Sequence, residues 1–248
     1  MDKNIVFGKI PVKNALLGTR KPIHVFLNQA HPDQEILQIA KEKKVPVKRV
    51  SLDALGSLCD HRNHQGAVCS MPQFRYTELS DVLEKTKEKE NSTIIMLDGI
   101  EDPVNFGSII RSSTAFDVDA IIIGKNRQVQ VTATVSKIAT GGEEIIPIVQ
   151  VTNLNQTIHS LKKAGYWIVS SAGEGKDVYD KIDYSGKIVL VVGSEGFGVS
   201  RLVRENSDYV ASIPLPGKVK ALNASIAAAV FLAEINSSRR RKLEKKAK

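Results

Sequence analysis

The chain has 248 residues and a net charge of +8, with 42% hydrophobic and 25% charged residues, as in ordinary globular proteins rather than disordered or fibrous ones. That length holds one large or two modest domains with real cores. Its apolar runs fall far short of the roughly 20 residues that cross a bilayer, its first residues lack the apolar core of a secretory signal, and its two cysteines make no disulfide framework. A cytoplasmic protein with no membrane partner is expected.

Residues 1–75 carry 12 Lys/Arg against 6 Asp/Glu and read as a small basic α/β domain. A strand is expected over 23–28, a helix over 32–43 with Pro32 and Asp33 at its start, and a strand over 47–50. Residues 76–92 turn charged and poor in apolar side chains, the composition of a short surface helix leading into a linker. From residue 93 to 248 the pattern alternates as in parallel α/β domains. Strands are expected over 93–97, 120–123, 145–149, 167–170, 188–192 and 209–212, and helices over 107–116, 132–140, 154–164, 200–205 and 224–237. Their continuous apolar character suits strands buried on both faces. The last ten residues, with 7 Lys/Arg against 1 Asp/Glu, read as a frayed basic extension. Basicity thus gathers in an N-terminal module and a C-terminal tail, which suggests a polyanionic partner.

Three motifs follow expected strands, the position where open α/β sheets place ligands. The first is Asp102-Pro103-Val104-Asn105-Phe106-Gly107 with Arg111. Asn105 can cap a helix, and Arg111, on an otherwise apolar helix, needs an anionic partner to be worth desolvating. The second is Gly193-Ser194-Glu195-Gly196-Phe197-Gly198. Its glycine spacing and late position differ from the dinucleotide-binding fingerprint. The third runs from Ile213-Pro214-Leu215 to Leu222-Asn223-Ala224-Ser225, where Asn223 can cap the final helix. A run Cys59-x-His61-x2-His64-x4-Cys69 has zinc-ligand residue types in the wrong spacing, and no metal site is expected.

In this order and spacing the motifs resemble the SpoU-type RNA ribose 2′-O-methyltransferases of the SPOUT superfamily, and among them the bacterial 23S ribosomal RNA guanosine enzymes. The resemblance implies a trefoil-knotted C-terminal methyltransferase domain with a parallel sheet, over 93–248, and an L30e-like N-terminal RNA-binding domain over 1–75. It implies S-adenosylmethionine as cofactor, held in the knot at Gly193, Gly196, Ile213, Leu215 and Leu222. It makes Arg111 the main catalytic residue, with Asn105 and Glu195 positioning it and Asn223 holding substrate or cofactor. His61, Arg62, Asn63 and Gln65 then offer donors and a stacking ring to RNA. Glu144, in Thr140-Gly141-Gly142-Glu143-Glu144, reads as structural or dimer-associated. The usual Ser-Leu-Asn of the third motif is Ala221-Leu222-Asn223 here, which removes a hydroxyl. The implied activity is 2′-O-methylation of ribosomal RNA. A transfer RNA substrate and a non-catalytic RNA-binding or ribosome-assembly factor stay open. A homodimer through the C-terminal domain is also implied, with Ala224, Ala227, Ala228, Phe231, Leu232 and Ile235 as the candidate stripe.

Overall fold

The computed structural model describes residues 5–18, 20–60, 63–72, 74–218 and 221–246. In chain order its elements are β1 (Ile5–Phe7), α1 (Lys9–Leu17), β2 (His24–Asn28), α2 (Gln34–Glu42), β3 (Val47–Val50), α3 (Leu52–Leu58), β4 (Ala67–Ser70), α4 (Leu79–Thr86), β5 (Ser92–Asp98), α5 (Pro103–Ala115), β6 (Ala120–Gly124), α6 (Ala133–Ala139), β7 (Ile148–Val151), α7 (Leu154–Lys163), β8 (Tyr166–Ser171), β9 (Asp177–Val178), β10 (Lys187–Gly193), α8 (Arg201–Glu205), β11 (Tyr209–Ser212) and α9 (Ala224–Lys246). They form two compact units, one of residues up to Arg75 with Val131–Ile145, the other of Tyr76–Gln130 with Ile146 onward.

The first unit is built on a four-stranded sheet in the order β1-β4-β2-β3, with β2 and β3 parallel and the other pairs antiparallel. Alternation of side chains along the strands sorts its two cores. Val6, Val25, Leu27 and Cys69 pack with Val12 and Leu16 of α1 and Ile36 and Ala40 of α2. Ile5, Phe7 and Val68 pack with Leu55 and Cys59. Helix α2 starts at Gln34 because the Asp33 side chain accepts the Ile36 amide at 3.1 Å, an N-cap that leaves Pro32 outside the helix.

Residues 131–145, expected with the C-terminal domain, pack into this first unit. Thr132 caps α6, whose Val135 and Ala139 are buried, and Thr140 and Gly141 end it with left-handed φ of 55° and 82°. Glu144 follows in a short 3-10 turn and is buried against Arg20, which binds both of its carboxylate oxygens and also donates to the Pro72 carbonyl at 2.7 Å. This pairing makes Glu144 a structural residue of the unit.

Glu143 is also buried, but among the described residues neither of its oxygens finds a hydrogen bond of ordinary geometry. Burial pushes its carboxyl up to about 7, outweighing the Ser136 hydroxyl and the Glu143 amide, which favour the anion. A carboxyl raised in the folded state stabilises the fold fully below its unfolded value, near 4.5, and that contribution is lost as pH rises to about 7. Glu143→Gln is therefore expected to flatten the fall of stability between those pH values and to raise the melting temperature at pH 8. Thermal melts of both proteins from pH 4.5 to 8 check this; parallel curves would contradict it.

The second unit carries seven parallel strands in the order β7-β6-β5-β10-β8-β11-β9. Ile94 to Leu97 and Ile188 to Val192 are buried at every position, as strands covered on both faces must be. Helix α4 lies in the segment expected to be a linker, yet Val82 joins the sheet core and Thr86 is buried, so that segment belongs to the unit. Strand β7 begins three residues later than expected, because Ile145 ends the 3-10 turn and Pro147 has no N–H for a ladder.

Helix α9 is 23 residues long rather than ending near 237. Its basic end is held because Arg239 donates to the carbonyls of Tyr184, Ser92 and Gly186 and to the Thr93 hydroxyl, at 2.8–3.0 Å. Lys242 adds an ion pair to Asp183, which with the Ser185 hydroxyl holds that carboxyl down to about 2. Ala224, Ala228, Phe231, Leu232 and Ile235 are buried within the chain itself, where α9 packs on α5 and β10. Those five therefore serve the fold and offer no free dimer face, and Ala227, the sixth of the stripe, is only partly exposed. No helix among the described residues is long and apolar enough to cross a membrane.

Candidate active site

Strands β5 and β10 are neighbours, and the chain leaves β5 toward β6 and β7 on one side while β8, β11 and β9 lie on the other. Loops at the carboxyl ends part at such a reversal and leave a crevice. Asp98 and Gly193, the last residues of the two strands, are register partners at its floor.

After β5, the amides of Gly99 and Ile100 both donate to Gln128 Oε1 at 3.1 Å, which holds the turn. Asp102 then caps α5, accepting from Val104 and Asn105 amides at 3.1 and 3.2 Å, with Pro103 in the first turn. Asn105 is thus inside the helix rather than capping it, and its side chain is free for other work. It is 6% exposed and donates from Nδ2 to Glu195 Oε1 at 3.2 Å.

After β10 the chain folds back sharply. A Cβ on Gly193 would lie 2.0–2.2 Å from the Gly198 carbonyl and the Val199 nitrogen, so only glycine fits. Gly198, at φ 63°, donates to the Ser194 carbonyl at 2.8 Å. Asp98 ties both ends: its carbonyl accepts the Ser194 amide and its carboxylate accepts the Ser200 amide at 2.7 Å.

After β11, Asn223 opens α9. Its Oδ1 accepts from the Ser225 amide, the Ser225 hydroxyl and the Ile226 amide at 2.9, 2.6 and 3.3 Å. This fixes the amide so that Nδ2 donates to Asn105 Oδ1, at 2.8 Å, and to Glu195 Oε1. Asn105 of α5, Glu195 of the loop after β10 and Asn223 before α9 close a hydrogen-bonded triangle.

Arg111 stands outside that triangle. It is exposed on α5 and makes no hydrogen bond or ion pair among the described residues, so Asn105 and Glu195 bind Asn223 and not Arg111 as expected. Two clefts flank the triangle. One is lined by Gly193, Ser194, Glu195, Ile213, Leu215, Ala221 and Leu222, together with Ser171, Ala172 and Gly173 after β8. Apart from Glu195, its lining side chains are small or apolar. The other is lined by Gly99, Ile100, Glu101, Asp102, Asn105, Ser194, Glu195, Gly196 and Phe197. Four of the five expected cofactor positions share the first cleft; Gly196 falls in the second.

Ser171 to Gly173, Gln128 and Asp98 escaped the sequence reading. Gly173 after a strand is the one signal that pointed there. Of the expected RNA-binding residues, His61 and Arg62 lie outside the described residues. Asn63 is exposed, and Gln65 lends its Oε1 to the Lys9 amide at the start of α1, at 3.2 Å. Among the described residues no three His, Cys, Asp or Glu side chains gather as a metal site.

Residues 92–233 match the SpoU rRNA Methylase family, and residues 5–77 match a family described as RNA 2′-O ribose methyltransferase substrate binding. The chain belongs to the SpoU rRNA methylase family. A protein of Staphylococcus aureus (strain MSSA476) assigned to the TrmH family of tRNA/rRNA methyltransferases is 38% identical over 240 residues, 95% of this chain and 96% of that one. The AdoMet-bound rRNA methyltransferase of Sinorhizobium meliloti has a similar fold, with a TM-score of 0.79 and 25% identity over 95% of this chain and 87% of that one. The SpoU methyltransferase AviRb of Streptomyces viridochromogenes, in complex with AdoMet, shares the fold at a TM-score of 0.83 and 21% identity, covering 97% of this chain and 92% of that one.

As a member of the SpoU family the chain is an RNA methyltransferase, and the triangle lies between its two clefts. Asn223→Asp keeps a good helix cap but turns a carboxylate toward Glu195, so the two repel. Its melting temperature is expected to fall modestly, with the fold kept, while methyl transfer falls at least about tenfold, the cost of roughly 1.4 kcal/mol in a transition state. Unchanged turnover in this variant would remove the triangle from the active site.

Proposed function

We propose that the protein transfers the methyl group of S-adenosylmethionine to a ribose 2′-oxygen of ribosomal RNA. The observation that carries this reading is the pair of clefts meeting at Ser194 and Glu195, the first lined mainly by small and apolar side chains, the second carrying Glu101, Asp102 and Asn105 as well. AdoMet in the two related structures, and the match of the N-terminal residues to a ribose-methyltransferase substrate-binding family, support it. S-adenosylmethionine would occupy the first cleft along Gly193, Ile213, Leu215 and Leu222, in the knotted region that the family resemblance implies. The ribose would enter from the second.

The 2′-oxygen attacks the methyl carbon, the carbon–sulfur bond breaks with its electron pair returning to sulfur, and the hydroxyl proton passes to water. Arg111, always cationic, is a poor base. Its role in this reading is to bind an RNA phosphate and polarise the 2′-oxygen. The triangle of Asn105, Glu195 and Asn223 places the reacting ribose against the cofactor. The 12 Lys/Arg of the first 75 residues supply phosphate attraction, with Asn63 and Gln65 among the RNA contacts. A second copy is expected to pair through the C-terminal unit, where Val104 on α5 and Ile226 on α9 are more than half exposed. Light scattering at micromolar concentration checks that, and a monomer would contradict it.

The deciding experiment maps ribose methylation in ribosomal and transfer RNA from cells with and without the protein. A ribosomal site lost without it is the expected result. A lost transfer RNA site would move the substrate, and no lost site, with no heat of S-adenosylmethionine binding, would point to a non-catalytic RNA-binding factor. Ala221 in the cofactor cleft, where a serine is usual, is the feature that favours the latter.

A further inference from the structure

Single exposed apolar side chains are ordinary on protein surfaces; what sets Phe197 apart is its placement. Its ring is 96% exposed and stands at the lip of the second cleft, between Gly196 and Gly198. The loop beneath it is held by Asp98 and by the Glu195 triangle, so the ring is presented from a fixed base. No ring contact joins it to another of the described residues.

The cleft it borders is acidic. Glu101, Asp102 and Glu195 all line it. Three carboxylates oppose a phosphate there, since like charges destabilise one another, whereas a neutral base meets no such penalty. The base is bonded to C1′, the carbon beside C2′. A ribose presented at Glu195 therefore carries its own base toward the same cleft.

The geometry points to Phe197 as the stacking platform for the unpaired base of the nucleotide that is methylated. This rests on the ribose-methylation reading above and adds how the target nucleotide is held. Aromatic side chains serve this purpose for splayed-out RNA bases, because every base has a π-face to offer. Phe197 in this role is a positioning residue. It touches the base and leaves the reacting atoms to others.

The test uses the full chain, S-adenosylmethionine and the RNA stem-loop identified by the mapping. Phe197→Ala and Phe197→Leu are each expected to raise the KM for RNA on the order of tenfold, the scale of one lost stacking contact, with kcat at saturating RNA little changed. Phe197→Trp restores the parental KM, since it keeps a π-face. With 2-aminopurine at the target position, the parent protein quenches its fluorescence and the leucine variant does not. S-adenosylmethionine affinity and mass by light scattering stay as in the parent. Unchanged KM in the alanine variant, full function with leucine, or a change in mass showing the ring to be covered by a second copy would each overturn the inference. Absence of any methylation by the parent chain would bring down the ribose-methylation reading as well, which separates the two failures.

Discussion

Arg111→Ala is expected to lower methyl transfer on the order of 10²–10³-fold, the cost of removing one donor aimed at a developing oxyanion, while S-adenosylmethionine binds as in the parent. Arg111 is exposed and has no partner among the described residues, so its removal breaks no bond that the fold relies on. A surface substitution of that kind changes stability by about half a kcal/mol or less. Its side chain does not line the cofactor cleft, so cofactor affinity has no reason to change. Arg111→Lys is expected to fail as well, because an ammonium cannot reproduce the planar fork of donors. Calorimetry for the cofactor and single-turnover methylation for the chemistry check both halves. A folded Arg111→Ala protein that no longer binds S-adenosylmethionine would show the residue to belong to the other side of the site.

Gly193→Ala is the second large effect, and it acts through the backbone. The new methyl would sit at 2.0 Å from the Gly198 carbonyl carbon and 2.2 Å from its oxygen, far inside contact distance, and none of these atoms is the end of a flexible side chain. The loop must open, and Ser194 and Glu195 move with it. Overpacking alone costs about 1–3 kcal/mol, and loss of the cleft wall should abolish cofactor binding. Gly196→Ala is the control three residues away. Nothing lies within 4 Å of a Cβ there, and the fold should tolerate it. A Gly193→Ala protein that melts and binds cofactor like its parent would mean that the loop is far softer than its packing suggests.

The parallel sheet was legible because strands buried on both faces must be continuously apolar, and 188–192 and 209–212 lie within or match β10 and β11. The short strands of the first unit were harder. β1 and β4 are three and four residues long, too short for an alternating pattern to show. The place of 131–145 was hidden for another reason. An apolar helix face says that it needs a partner, but only the meeting of Arg20 with Glu144, 124 positions apart, says which. The basic end of α9 looked like a solvated tail because composition does not show that Arg239 will find three carbonyls. At the site, the resemblance of the three motifs to the SpoU family singled out Asn105, Glu195 and Asn223. The hydrogen bonds joining them to each other rather than to Arg111 depend on Asp102 taking over the helix cap and on Ser225 turning the Asn223 amide. Both are three-dimensional facts that no spacing encodes.

Ser194 and Glu195 wall both clefts, and in the proposed reading this gives the two ligands a thermodynamic relation. A molecule that stiffens or shifts this segment from one side changes what is met from the other, so the two affinities are coupled. Linkage makes the coupling reciprocal: the factor by which cofactor alters RNA affinity is the factor by which RNA alters cofactor affinity. Transfer of the methyl from sulfur to the ribose oxygen changes the occupants of both sides in that reading. The same shared wall that brings the reactants together therefore also lets the spent cofactor alter the grip on methylated RNA.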